Sequence, residues 1–122
     1  MFKLSIIIPA YNEERRIWNT LKAYSEYFDN LRKDEILDYE ILVVINNTRD
    51  RTEEIVKEVQ MKNKRIKYLN FKQGGKGFAI IEGFKNALER ENDLIGFVDA
   101  DMATSPEAFY DLVRNIGNYQ GA

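Results

Sequence analysis

Asp99 and Asp101 stand one residue apart in Phe97-Val98-Asp99-Ala100-Asp101, directly behind the apolar run Leu94 to Val98. That run reads as a short strand buried on both faces, and a strand tip in an open α/β sheet is where ligands usually bind. If extended geometry carries through, both carboxylates fall on one strand face and can converge on a single cation. Hard oxygen donors of this kind suit Mg²⁺ or Mn²⁺ carrying a diphosphate, with water and substrate oxygens completing the shell. The plain alternative is a pair of solvated turn aspartates, since Asp is common after strands.

A second stretch with chemical content is Gln73-Gly74-Gly75-Lys76-Gly77. It is not a P-loop: Asn70 stands where the first glycine would be, and Gly77 replaces the required Ser or Thr. It is not a dinucleotide fingerprint either, because Ile80 occupies the third glycine position. What remains is a helix amino terminus with free N–H groups and one lysine. Such a terminus suits an anion; taken alone, the loop reads more simply as a helix cap beside a solvated lysine.

Composition narrows the chemistry. The 122 residues contain no cysteine and no histidine, which excludes disulfides, thiol nucleophiles, imidazole bases and imidazole metal ligands. Any metal must be held by oxygen. Hydrophobic residues at 44% and charged residues at 31% describe one ordinary globular domain. A net charge of -2 with no basic run makes no case for nucleic acid. There is no signal-peptide pattern, and no apolar run approaches the roughly 20 residues of a transmembrane segment. The chain therefore reads as cytoplasmic, or peripheral at the cytosolic membrane face.

The positioning elements follow in order. Leu4 to Ile8 is a β-branched strand ended by Pro9. Asn12 is expected to cap a helix from Glu13 to about Phe28, with Ile17, Leu21, Tyr24 and Phe28 as its apolar stripe. Asp29 to Asp38 reads as a polar loop and Tyr39 to Ile45 as a second strand. Asp50 with Glu53 has the spacing of a capping box for a helix reaching about Asn63. Arg65 to Phe71 is the third strand. The third helix follows the glycine loop, with Ile80, Ile81, Phe84, Ala87 and Leu88 expected on one side. Gly83 within it implies something packed close, since glycine costs a helix about 1 kcal/mol. Ser105 and Pro106 open a fourth helix that Gly117-Asn118 is expected to end. Four β–α units predict a three-layer α/β sandwich with a mostly parallel sheet. Right-handed crossovers put all four strand tips on one rim.

Taken together, the rim loops resemble the donor-binding half of family-two glycosyltransferases of the GT-A fold. Ser5-Ile6-Ile7-Ile8-Pro9-Ala10-Tyr11-Asn12-Glu13-Glu14 resembles the opening strand and loop of that family. Gly75-Lys76-Gly77-Phe78-Ala79 with Gly83 resembles its middle segment, and Asp99-Ala100-Asp101 its Asp-x-Asp metal motif. With Met102-Ala103-Thr104, the last is similar to the branch that charges dolichyl or polyprenyl phosphate with glucose or mannose. The resemblance implies metal-dependent binding of a UDP- or GDP-linked sugar, with Mg²⁺ or Mn²⁺, and inverting transfer to an acceptor such as polyprenyl phosphate. By position, Pro9, Ala10, Tyr11, Asn12 and Glu13 would line the base and ribose pocket. Lys76 would lie near the phosphates, Asp99 would bind ribose or share the metal, and Asp101 would be its main ligand.

Two departures stand out. Asn46 and Asn47 replace the family's two aspartates after the second strand, although Asp50 and Thr52 match. An amide both donates and accepts, so Asn46 would suit uracil; two asparagines shaping a turn is the other reading. The resemblance also makes residues 1–122 the donor half of an incomplete GT-A domain, with the acceptor half and its catalytic base absent. Asp111, on the fourth helix, is poorly placed for that role. The edge that such a half would cover is expected to favour self-association if it carries an apolar patch. The alternatives are a non-catalytic nucleotide-binding or regulatory module, an inactive fragment, and a nucleotidyltransferase of similar topology. The last is disfavoured because no Gly-rich basic loop follows the first strand.

Overall fold

The computed structural model describes residues 1–121 and carries four β–α units: β1 (Lys3–Ala10), α1 (Ile17–Lys33), β2 (Asp38–Asn46), α2 (Thr52–Lys62), β3 (Ile66–Phe71), α3 (Lys76–Leu88), β4 (Leu94–Phe97) and α4 (Pro106–Gly121). The strands form one parallel sheet in the order β3-β2-β1-β4. The even-numbered residues of β1 (Leu4, Ile6, Ile8) pack with Ile17, Leu21, Tyr24 and Phe28 of α1, Val56 of α2, and Phe109 and Val113 of α4. Ile7 faces the other way, with Leu42, Val44 and Ala79 of α3. This is the expected three-layer sandwich.

α3 lies close to the sheet because its inward positions are small. Ala79, Gly83 and Ala87 recur every four residues and are buried. A Cβ added at Gly83 would come within 2.8 Å of Ile7 Cγ2 and 3.1 Å of Val44 Cγ2. The close packing inferred at Gly83 is therefore present. The expected apolar side of α3 is corrected: Ile81 and Leu88 lie outside, because the small-residue stripe rather than the bulky one faces the sheet.

Several element boundaries also differ. Asn12 does not cap α1. Its Oδ1 accepts from the Arg49 N–H, and the Glu13 carbonyl instead receives the Arg16 and Ile17 N–H groups, so the helix starts later. At the other end α1 runs on into the expected loop as far as Lys33, leaving 34–37 as the connection, since Leu31 continues the stripe of Leu21, Tyr24 and Phe28 onto the core. Asp50 makes no capping box, its two oxygens going to Thr52 and to the Glu14 N–H. Ser105 does cap α4, accepting from the Ala108 N–H at 3.1 Å. α4 continues past Gly117-Asn118 to Gly121; one glycine costs a helix about 1 kcal/mol and does not stop it.

The largest correction concerns β4. It pairs only with β1 and forms one edge of the sheet, and none of its four residues is fully buried. Phe97 remains 46% exposed, supplying apolar surface at that edge.

At the end of the sheet away from the strand tips, Glu40 of β2 is buried. It receives two guanidinium bonds from Arg90, at 2.7 and 2.8 Å, and the Ser5 hydroxyl at 2.7 Å. Burial pushes its carboxyl up, but the bonds from Arg90 and Ser5 outweigh burial and hold it below the ordinary glutamate range. A depressed folded value stabilises above the ordinary pKa of about 4.3, and that contribution is lost as pH falls through the folded value. Glu40→Gln should cost about 1–3 kcal/mol at pH 7 and flatten the acid limb of the stability curve. Urea denaturation across pH 3 to 7 checks both.

Candidate functional site

At the strand tips the loops after β1, β2 and β4 and the start of α3 enclose an open cleft of about 550 Å³. Pro9, Ala10, Tyr11, Glu13, Asn46, Lys76, Asp99 and Asp101 all line it, together with Asn47, Gly74, Gly75 and Ala100. Of the residues named from sequence, Asn12 alone is not among its lining. With φ of 48° it faces the loop after β2, where its N–H donates to Thr48 and its side-chain oxygen accepts from Arg49.

The loop after β1 is held from below by the segment after β2. The buried Thr52 hydroxyl donates to Asp50 at 2.5 Å and accepts the Glu13 N–H at 2.9 Å, while Asp50 also accepts the Glu14 N–H. Burial raises the Asp50 carboxyl, and the bonds from the Thr52 hydroxyl and backbone then take it below the usual aspartate range. Asp50 is thus a charged brace that presents Pro9 to Glu13 to the cleft.

The carboxylate pair is not on extended backbone. β4 ends at Phe97, and the chain turns through Asp99 to Asp101, so the two acids share the cleft rather than a strand face. Met102 follows in the left-handed region at φ 59°, an uncommon state for a residue with a side chain. α1 secures this turn. Thr20 Oγ1 donates to the Ala100 carbonyl and Tyr24 Oη to the Thr104 carbonyl, each at 2.6 Å. Both side chains are buried, and burial, with the charge of Glu107, raises the Tyr24 hydroxyl so that it stays a donor. These two hydroxyls bracket Asp101 from 80 residues away in the chain. Sequence reasoning assigned Tyr24 only to the apolar stripe and passed over Thr20.

The charges in the cleft are unevenly balanced. Glu13 is paired with Arg16, and Asp99 with Lys76. The Asp101 carboxylate takes only the Ala103 N–H, at 3.0 Å, among the described residues. Asn46 is almost fully buried and its Nδ2 donates to the Gly74 carbonyl at 2.7 Å, which orients the amide because a carbonyl only accepts. Its Oδ1 has no protein partner among the described residues and is left as an acceptor at the cleft wall.

Among the described residues no group of three or more Asp or Glu side chains could hold a metal by itself. Two carboxylates on one rim are what the chain offers. That donor set is wrong for an all-protein cage, but right for Mg²⁺ or Mn²⁺, which take one or two carboxylates and fill the rest of the shell from water and phosphate. Asp101 would be the principal ligand and Asp99 the second.

A model of the family described as Glycosyl transferase family 2 matches residues 5–121. A dolichyl-phosphate beta-glucosyltransferase of Trichomonas vaginalis, ALG5D, is 39% identical over 115 residues, covering 93% of this chain and 34% of that protein. The crystal structure of S. aureus TarS 1-349 in complex with UDP is similar at a TM-score of 0.74 and 25% identity, over 98% of this chain and 33% of the other. The mannosyltransferase PcManGT from Pyrobaculum calidifontis, in complex with GDP-Man and Mn²⁺, shares the fold at a TM-score of 0.63 and 21% identity, over 80% and 27% of the two chains. The chain thus spans about a third of the length of the curated relatives it matches. Among the described residues no helix is long and apolar enough to cross a membrane.

Thr20→Val and Tyr24→Phe each leave a carbonyl without its donor while nearly preserving shape. Each should lower stability by about 1–3 kcal/mol in chemical denaturation, whereas Thr20→Ser, which keeps the donor, should recover most of the Thr20→Val loss.

Proposed function

The chain belongs to glycosyl transferase family 2, and from that membership we propose that its cleft binds a nucleoside-diphosphate sugar together with a divalent cation. The observation that carries this reading is the charge arrangement: Asp101, without a basic partner among the described residues, beside Asp99 in a cleft that α3 enters amino terminus first. A carboxylate pair repels a diphosphate unless a cation lies between them. When bound, the metal would neutralise charge developing on the nucleotide leaving group. The protein's own part is to hold Asp101 by its α1-braced turn and to present Lys76 towards the phosphates. The loop from Pro9 to Glu13 forms the wall for base and ribose, with Asp99 near the ribose or sharing the metal.

Asn46 favours a uridine nucleotide in this reading. With its Nδ2 group serving the Gly74 carbonyl, the Oδ1 offers a single acceptor, which matches uracil's one N3–H, whereas guanine presents the paired N1–H and N2–H donors that a carboxylate would suit. The acceptor is proposed to be a polyprenyl phosphate, supported by the dolichyl-phosphate beta-glucosyltransferase among the relatives, and transfer to proceed with inversion. Residues 1–122 would form the donor half. Neither Glu107 nor Asp111 lines the cleft, and Asp111 is paired with Arg114. A polyprenyl phosphate is already largely ionised at neutral pH, its second pKa being about 6, and needs no base to deprotonate it. An acceptor hydroxyl would need one, and neither of these two acids is placed to serve it. The same observation favours a second reading, a nucleotide-binding module without turnover. Transfer of sugar to a polyprenyl phosphate by this chain alone would exclude that module.

Calorimetry of UDP and GDP with Mn²⁺ and with EDTA tests the proposal. UDP should bind more tightly than GDP, and chelation should weaken both by at least about tenfold. Asp101→Asn, which keeps an acceptor for the Ala103 N–H, should lose the metal-dependent part. Equal affinity in EDTA refutes the metal role, and tighter GDP binding refutes the role given to Asn46.

A further inference from the structure

Lys76 is the cleft lining's single basic side chain among the described residues, and it is paired with Asp99. We infer that Lys76 is a resident counter-cation which holds Asp99 until a diphosphate draws it away, so that metal alone binds weakly and metal and nucleotide bind cooperatively. This rests on the nucleoside-diphosphate reading of the cleft and adds to it an order in the electrostatics.

The backbone around Lys76 is fixed while its side chain is not. Two residues upstream, the Gly74 carbonyl is held by Asn46, and Gly74 sits at φ 114°. A Cβ there would fall 2.4 Å from the Phe78 ring, so this position admits only glycine. Downstream, Lys76 is the first residue of α3. In contrast, a Cβ added at Gly75 or Gly77 would meet nothing within 4 Å. The two neighbouring glycines bring no side chain to pack against the lysine, whose own side chain is 57% exposed. The exchange is a rotation of one flexible side chain, not a loop movement.

The energetics set the direction. Pairing with Lys76 leaves one carboxylate, Asp101, for a metal arriving by itself, and puts an ammonium beside the incoming dication. A diphosphate carries more charge than Asp99 and, bound in this cleft as proposed, would compete for the same lysine. Its arrival releases Asp99 to the metal or ribose and replaces an ion pair that half-exposed partners hold only loosely.

Lys76→Met, which keeps the stem and removes the charge, separates the terms. Mn²⁺ binding alone, followed by loss of the free-ion electron paramagnetic resonance signal, should become about three- to fivefold tighter, the scale of an exposed ion pair. UDP binding in EDTA should weaken, and the factor by which UDP tightens Mn²⁺ should shrink. Lys76→Arg should restore weak Mn²⁺ binding. If Lys76→Met leaves Mn²⁺ affinity unchanged or weaker while the parent protein still binds Mn²⁺ with UDP, the exchange is wrong and the cleft reading stands. If the parent protein fails to bind Mn²⁺ with UDP at all, both fall together.

Discussion

Asp99 and Asp101 place two negative charges on one rim of a cleft, and the protein answers only one of them with a basic side chain. Lys76 meets Asp99, while Asp101 has a single backbone N–H. With no histidine or cysteine anywhere in the chain, a cation answering the remaining charge would be one that takes oxygen ligands. A diphosphate is the kind of partner that shares such an ion, since its own charge needs the same neutralisation. In the proposed reading, the chemistry of this cleft follows from a charge deficit rather than from a preformed ligand cage.

Keeping Asp101 in that position has a structural cost, and much of the fold goes to meeting it. The turn that carries it passes through Met102 at positive φ. It persists because the Thr20 and Tyr24 hydroxyls hold the carbonyls on either side from a helix whose own stripe is locked against the sheet. The opposite wall is built the same way, with Thr52 and Asp50 holding the loop after β1, and Asn46 holding the glycine segment at the start of α3. These braces act mainly on backbone, and they leave the Asp101 carboxylate and the Asn46 Oδ1 with acceptor capacity at the cleft.

How much of this could be read from the sequence depended on the range of the interaction. Strand–helix alternation, the parallel sheet, the cap at Ser105 and the close approach at Gly83 are local or periodic, and each is found in the structure. The position of β4 was not legible, because an apolar run looks the same at an edge as at the centre of a sheet. Asn12 followed by two glutamates has the composition of a helix cap, yet a backbone N–H from the loop after β2 claims its oxygen. Thr20 carried no signal at all, since its partner lies 80 residues away. The Asp pair was legible as chemistry, but the turn that brings both acids into the cleft was not.

The most direct measurement is an anomalous-scattering map from crystals soaked with UDP and Mn²⁺. The account predicts one manganese peak within bonding reach of the Asp101 carboxylate and of diphosphate oxygens. Nucleotide seated in the cleft with no manganese against Asp101 would contradict it.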